Sequence, residues 1–458
     1  MHIILNENVM VSSDLGAESN NFGKRSRLEN IYFGLGHVYN DLCASVWFSY
    51  TLFYLQIVME IPSTTAGLLI MTGQVTDAIA TPVAGWTIDR VGTRRAWHAT
   101  GTLFVTIGFS LIFAVNNNGN NYLSVLVYTS LIILFQIGWA LVQISHLSMI
   151  PSLARDNNQS NTLTTLRYTA SVICGIIVYM TTWAVLKDDA NLNNVGPADF
   201  YRFRKIMFII TGIGLSAVML FYVGLRNKWN KLRTYKQLQE NEENKDKLPR
   251  NFLKSSIIYK VSLLYMASRL YTTLNLIYIP LYLDERQSDE LSSIDGIRST
   301  VATVPFVVYV VSFITAIILN FRKQSDTIVY VFGSLFSMSA SIWIGIIGRN
   351  TSKIEIYTIA TLIGIGGSTT LVTSLCLTAK YVKSNGFGGG SVYGIVTFTD
   401  KLASGLAVFA IQHLQNSLDE NFPNFYSSVL AYVCGITALL GLLSITTLYC
   451  CPVSEEGL

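Results

Sequence analysis

The 458-residue chain is poor in charge: Asp, Glu, Lys and Arg make up 13% of it, about half the share of an ordinary soluble chain. Beside a hydrophobic content of 51% and a mean hydropathy of +0.42, that shortfall excludes a soluble globular protein and puts the bulk of the chain in a membrane. The net charge of +4 gives no support to a nucleic-acid partner, because the charges fall in the gaps between apolar runs. Cysteine is scarce too. Of six, Cys43, Cys174, Cys376 and Cys434 fall inside apolar runs, where thiols behave as small apolar side chains, so neither disulfides nor a zinc cluster is expected. No metal and no cofactor is expected. Cys450 and Cys451 end the last run beside Pro452, as plain interfacial cysteines or as palmitoylation sites. The chain lacks a nucleophile–base set, a zinc spacing and a phosphate loop, so an enzyme is not expected. The first 30 residues are polar and lack a signal core, so the first apolar run is expected to direct insertion.

What the chain has in quantity is apolar sequence. Crossing about 30 Å of hydrocarbon takes about 20 helical residues. Twelve runs meet that need: 31–57, 64–88, 97–115, 122–148, 163–186 and 204–225, then 256–283, 299–320, 327–348, 354–381, 391–414 and 426–450. Between the two sets, Arg226 to Lys254 is too charged to enter a bilayer. The expected organisation is an all-α membrane protein with a polar tail (1–30), a six-helix bundle (31–225), a linker (226–254), a second six-helix bundle (255–451) and a short tail (452–458). Lys24, Arg25, Arg27, Arg90, Arg94, Arg95, the linker, Arg322, Lys323, Lys380 and Lys383 share one side, which assigns both termini and the linker to the cytosol. The opposite side carries Asn350-Thr351-Ser352, a glycosylation sequon or a chance match. In the linker, Tyr235-Lys236-Gln237-Leu238 has the tyrosine-x-x-apolar form that endosomal sorting adaptors read. Leu141-Val142 after Gly138 in the fourth run is echoed by Leu371-Val372 after Gly367 in the tenth, an offset of roughly 230 residues that two homologous halves would give.

Polar residues inside the runs are the informative ones, since a charge at mid-bilayer costs about 3 kcal/mol on insertion scales. In the first run His37, Asp41, Ser45 and Phe48 recur at helical spacing, with Asn40 beside them. Gln74, Asp77 and Thr81 share a face of the second, near Pro82. Gln136, Trp139, Gln143 and His146 do so in the fourth, and Thr164, Arg167, Ser171 and Cys174 in the fifth. After the linker, Arg269 lies with Thr272 and Thr273 in the seventh run, and Asp400 and Lys401 lie near Thr397 and Ser404 in the eleventh. Neighbouring residues point about 100° apart on a helix, so one of Asp400 and Lys401 must pair sideways. Each charge could simply neutralise another in a structural pair. Taken together, so many in a twelve-run chain favour a water-accessible pathway. His37 and His146 are candidate proton carriers, because imidazole titrates near neutrality. The plainer reading of each is a hydrogen-bonded polar residue.

The second run leaves the membrane through Gly85, Asp89, Arg90, Gly92, Arg94 and Arg95, a glycine-broken, cation-rich turn suited to a short cytosolic loop. This stretch resembles the signature between the second and third helices of the major facilitator superfamily, with one extra residue before the arginine pair. Asp77-Ala78-Ile79 followed by Pro82, together with Lys401, resembles the sodium–sugar symporter branch that includes the melibiose carrier. The stretches beginning at Gly36, Gly73, Phe135, Leu163 and Tyr393 are similar to the domain-containing protein 12 group of the superfamily, a likeness that runs through nearly all the spans and fails in the linker and tails.

The resemblance implies the superfamily fold of twelve transmembrane helices in two six-helix bundles, and transport by alternating access with the turn from Gly85 to Arg95 as a gating latch. For the narrower group it implies carriage of cysteine from cytosol into lysosomes and lysosome-related organelles such as melanosomes. The sugar branch holds sodium with two carboxylates on its second helix and one on its fourth. Thr81 and Gln143 stand at two of those positions here, which leaves one carboxylate and a weak sodium site. A zwitterion fits better, since its ammonium and carboxylate call for an anion and a cation in the pocket. The expected substrate set is Asp41 and Arg167 on the substrate and Asp77 paired with Lys401, with His37, Asn40, Gln143, His146 and Arg269 around them. Expected partners are a small amino acid, a coupling proton, the bilayer and sorting adaptors. Two other readings are a cation-coupled sugar or lysolipid symporter, and a non-transporting receptor or adaptor on a carrier fold.

Overall fold

The computed structural model describes residues 27–91, 93–115, 122–153, 157–186, 195–226, 256–287, 297–320, 325–347, 352–384, 389–418 and 424–450. Tyr235 and Leu238 of the linker, the Asn350 sequon, Gly92 and Cys451 lie outside these residues. Among the described residues the backbone is helical almost throughout and falls into twelve runs. The first joins α1 (Arg27–Leu35) to α2 (Val38–Phe53) and a π-helical turn, Tyr54–Val58. Then come α3 (Ser63–Arg90), α4 (Arg94–Ala114), α5 (Tyr122–Leu153), α6 (Asn157–Leu186) and α7 (Phe200–Gly224). The second half has α8 (Ser256–Gln287), α9 (Ile297–Asn320), α10 (Asp326–Ile346), α11 (Lys353–Ser384) and α12 (Gly389–Leu418). Its last run is α13 (Phe425–Ser428), a second π-helical turn (Val429–Val433) and α14 (Cys434–Cys450).

Eight of these runs are long and apolar enough to cross a membrane by length and composition alone. The first run, α3, α6 and α8 are not among the eight, α6 contributing only a shorter apolar stretch, Ala170–Leu186, and they are the helices that carry His37 and Asp41, Gln74 and Asp77, Arg167, and Arg269. The polar residues that lower their hydropathy are the ones the architecture turns inward.

In the first half α4 packs on α5, α5 on α3, and α2 on α6 and α7. In the second, α10 packs on α11, α11 on α9, and α8 on α14. The faint sequence repeat has a steric counterpart. A Cβ at Gly138 of α5 would sit 2.8 Å from the Gly101 carbonyl of α4, and one at Gly366 of α11 would sit 3.0 Å from the Gly333 carbonyl of α10. Both pairs of backbones approach too closely for a side chain, so the third–fourth and ninth–tenth helices repeat one packing device. The matching glycine in the second half is Gly366 rather than Gly367.

The halves meet where α3 lies on α12, α6 on α9 and α2 on α8. Away from the Arg90–Arg94 turn, Gln56 ties the seam to Gln412 and Tyr426, which polar contacts within the second half hold in place. Gln56, in the first π-helical turn, donates to Gln412 of α12. Tyr426 Oη donates to Gln56 Oε1 at 3.1 Å, and Gln412 Nε2 donates to Tyr278 Oη at 3.4 Å. Glu285 accepts the backbone N–H groups of Tyr426 at 3.0 Å and Ser427 at 3.1 Å.

Candidate functional site

Midway along the seam, α3 and α12 bring Asp77 and Lys401 together. Lys401 Nζ lies 2.7 Å from Asp77 Oδ2 and donates to Thr81 Oγ1 at 2.8 Å. Thr81 in turn donates to Asp77 Oδ1 at 3.2 Å. One turn of α3 thus presents a carboxylate and a hydroxyl to a single ammonium from the other half. Asp400 takes the sideways role: Arg269 Nε of α8 donates to Asp400 Oδ2 at 3.3 Å, and Ser404 donates to Asp400 Oδ1 at 3.4 Å.

These two ion pairs line one cavity of about 70 Å³, room for a few water molecules. Its other walls are Gln74, Thr273, and the aromatic and amide side chains of Phe48, Trp139 and Gln143. Trp139 Nε1 donates to Gln143 Oε1 at 3.2 Å, and the Phe48 ring meets Trp139 edge-on at 6.0 Å. Arg269 is the most open of the four charged groups, with 31% of its side chain exposed. The cavity therefore offers two anions and two cations, each neutralised, with one pair spanning the seam between halves.

A second cluster lies in the first half alone. Asp41 precedes Phe48 by two helical turns, about 10 Å along α2. Arg167 Nη2 of α6 contacts His37 Nε2 at 2.6 Å, and the same nitrogen lies 3.3 Å from Asp41 Oδ1. Asp41 and Arg167, expected to hold a substrate together, are thus bridged by His37 and do not line the seam cavity. His146 stacks on His37 with ring centroids 5.4 Å apart, and Asn40 is buried beside them.

His98 of α4 joins this cluster, 6.0 Å from the His146 ring. In the sequence its neighbours at helical spacing are the turn arginines Arg94 and Arg95 and Thr102, none of which points to a histidine cluster. Gln56, Gln412, Tyr278 and Tyr426 carry no pointer in the sequence either: an amide or phenol near the end of an apolar run looks like an interfacial anchor until its partner is known.

In the turn, Thr93 caps α4 by accepting from the Ala96 N–H at 3.2 Å, and Trp97 Nε1 donates to the Val91 carbonyl at 2.5 Å. Arg90 lies over Trp86, 4.5 Å from the ring centroid, and Arg95 over Tyr222 of α7, 5.3 Å away. Gly85 faces Ile144 of α5, and Arg94 is the first residue of α4. These contacts all fall within the first half. Asp89 ends α3, with its side chain outside the described residues.

The family model for MFS/sugar transport protein matches residues 32–455. The chain belongs to the major facilitator superfamily. Among its relatives, major facilitator superfamily domain-containing protein 12 of Mus musculus is 32% identical over 451 residues, covering 92% of this chain and 93% of that one. The Homo sapiens protein of the same name is 32% identical over 423 residues, 85% of each chain. Solved structures with the same fold include a D-xylose-proton symporter (TM-score 0.65, 15% identity, 92% of this chain and 96% of that one). The nucleoside transporter NupG superposes with a TM-score of 0.68 at 9% identity, over 92% of this chain and 99% of that one. As a superfamily member with this fold, the chain is a multi-pass secondary transporter for a small molecule, not a member of an enzyme class.

Proposed function

We propose that this transporter carries cysteine, or a small amino acid like it, by alternating access at the seam cavity. The observation that carries the reading is the pair of opposed ion pairs, Asp77–Lys401 and Arg269–Asp400, on one cavity shared by both halves. A free amino acid presents an ammonium and a carboxylate, and exchanging each protein pair for a protein–substrate pair conserves neutrality while breaking the contact that ties the halves. Gln143, Trp139 and Phe48 supply a polar but uncharged wall for a short side chain.

The resemblance to the domain-containing protein 12 group supports cysteine as the substrate and lysosomes or related organelles as the location. Cytosolic termini, Tyr235 and Leu238 as an adaptor signal, and Gly85 to Arg95 as the cytosolic latch are parts of the same reading. A cation-coupled sugar carrier is the second reading, favoured by the sugar-transport description of the family model. Against it, the Lys401 ammonium already sits on Asp77 and Thr81, the place where that branch would need a sodium ion.

The test is uptake of labelled cysteine by cells carrying the protein at the plasma membrane, with external pH and sodium varied independently. Saturable uptake that is insensitive to sodium and lost in Arg269→Ala and Lys401→Ala is expected. Absence of uptake with the protein shown at the surface, or a steep sodium dependence, would turn the assignment toward the sugar or lysolipid reading.

A further inference from the structure

We infer that the pocket where α8 and α10 end and the last run begins is a binding site for the headgroup of an anionic phospholipid. It lies wholly in the second half, at the end of the molecule where Gln56 ties the halves together. It is separate from the seam cavity and larger, about 170 Å³ against about 70 Å³. Tyr282 and Arg286 of α8 form one wall, Ile347 at the end of α10 the second, and Asn424, Ser427 and Tyr432 of the last run the third.

The walls carry charge of one sign. Among the described residues Arg286 is the charged side chain that lines the pocket. Its Nη1 donates to Tyr282 Oη at 2.6 Å, and its guanidinium lies over the same ring, 5.5 Å from the centroid, so an aromatic holds the cation in place. The two acids that precede it, Asp284 and Glu285, do not line the pocket. Glu285 is turned to the backbone N–H groups of Tyr426 and Ser427. The serine hydroxyls already donate to carbonyls, Ser427 Oγ to Ile344 at 3.5 Å and Ser428 Oγ to Asn424 at 3.0 Å. An entering group therefore meets the guanidinium, whose planar fork matches a phosphate.

Depth selects a lipid over a free anion. The apolar runs of α8 and α10 stop at 283 and 348, and the last one starts at 426, so the pocket residues gather where three runs reach the same membrane boundary. Lipid headgroups lie at that level, and basic pockets between transmembrane helices take them. From there toward the bilayer centre α10 packs along the last run. Ile342 and Ile346 of α10 and Tyr432 and Ile436 of the last run are exposed on that surface, an apolar strip that acyl chains can cover and inorganic phosphate cannot. Tyr432 also belongs to the π-helical turn Val429–Val433, a distortion that recurs at functional sites. Tyr426, which donates to Gln56 across the seam, directly precedes Ser427. A lipid held here braces the turn that ties the halves at this end.

The test uses the purified full chain in a neutral detergent and needs no cargo. Its unfolding temperature is followed as dioleoylphosphatidylglycerol, dioleoylphosphatidylcholine or inorganic phosphate is added. Phosphatidylglycerol is expected to raise it saturably, phosphatidylcholine much less, and phosphate not at all. Arg286→Gln should shift the phosphatidylglycerol response to about tenfold higher lipid concentration, the loss of one charge-assisted hydrogen bond. Ser428→Asp, which sets a carboxylate on the wall and leaves Arg286 in place, should weaken the response as well. Equal responses to the two lipids, or a phosphatidylglycerol response unchanged in both variants, overturn the site. A phosphate response equal to that of phosphatidylglycerol overturns the lipid as occupant, because the acyl chains then contribute nothing. Each of these failures leaves the carrier reading standing.

Discussion

Two charged clusters among the membrane helices, one in each half, treat buried charge in opposite ways. In the second half Arg269 and Asp400 face each other and Ser404 completes the acid's shell. In the first half Asp41, His37 and Arg167 each keep a buried polar atom without a partner. A satisfied pair holds a shape, whereas an unsatisfied group in a low-dielectric interior is costly unless something comes to meet it. Asp77–Lys401 belongs to neither pattern, because its partners sit in different halves, and there the largest effect is expected. Lys401→Ala leaves Asp77 buried and unpaired, a loss of about 3–5 kcal/mol, seen as a lowered unfolding temperature in detergent together with lost uptake. Adding Asp77→Asn should recover most of the stability and none of the uptake. If the second substitution recovers nothing, the pair is not what the first one broke.

The contrast between halves is sharpened by apolar replacement. Asp41→Leu with Arg167→Met removes orphaned polar atoms and should stabilise the protein by about 1–4 kcal/mol, seen as a raised unfolding temperature in detergent. Arg269→Met with Asp400→Leu removes a satisfied pair and should leave the unfolding temperature near that of the wild type. Equal shifts for the two double variants would erase the distinction. A smaller effect is expected at the Gln56–Gln412 end of the seam. Gln412→Leu leaves Gln56 Nε2 without its acceptor and removes the donor to Tyr278 Oη, at about 1–3 kcal/mol, and should raise thiol-reagent labelling of a cysteine placed at half-buried Ser63 from that end of the molecule. Unchanged labelling would mean that this knot does not hold the seam shut.

Much of this was legible in the sequence, and the part that was not has a physical reason. Helix number, the two halves and the seam pair Asp77–Lys401 followed from apolar length and from charges that hydrocarbon does not tolerate. The 100° spacing of Asp400 and Lys401 required one of them to turn sideways, and Asp400 does. Periodicity, however, reports which residues share a face of one helix and not which faces meet. Asp41 and Arg167 can therefore be paired from sequence by charge alone, when the bridging residue is His37, and His98 is invisible there because its partners come from the α1–α2 turn, α5 and α7. The gating turn was recognisable as a motif, yet Arg90 and Arg95 lie on aromatic rings of their own half.

Arg95 offers the smallest and most discriminating test of that last point. A cation over an exposed aromatic ring contributes about 0.5–1 kcal/mol, so Arg95→Ala should lower the unfolding temperature only slightly if the contact with Tyr222 is its whole role. Tyr222 also holds His98 Nδ1, so a shift of its ring would reach the histidine cluster. Arg95→Lys preserves the charge but not the planar stacking surface. If Arg95→Ala alters the pH dependence of uptake while Arg95→Lys does not, charge at the turn reaches the histidine cluster through Tyr222 and the first half behaves as one electrostatic unit. If neither does, the turn and the histidine cluster are independent, and the latch must act through Asp89 and the residues that follow it.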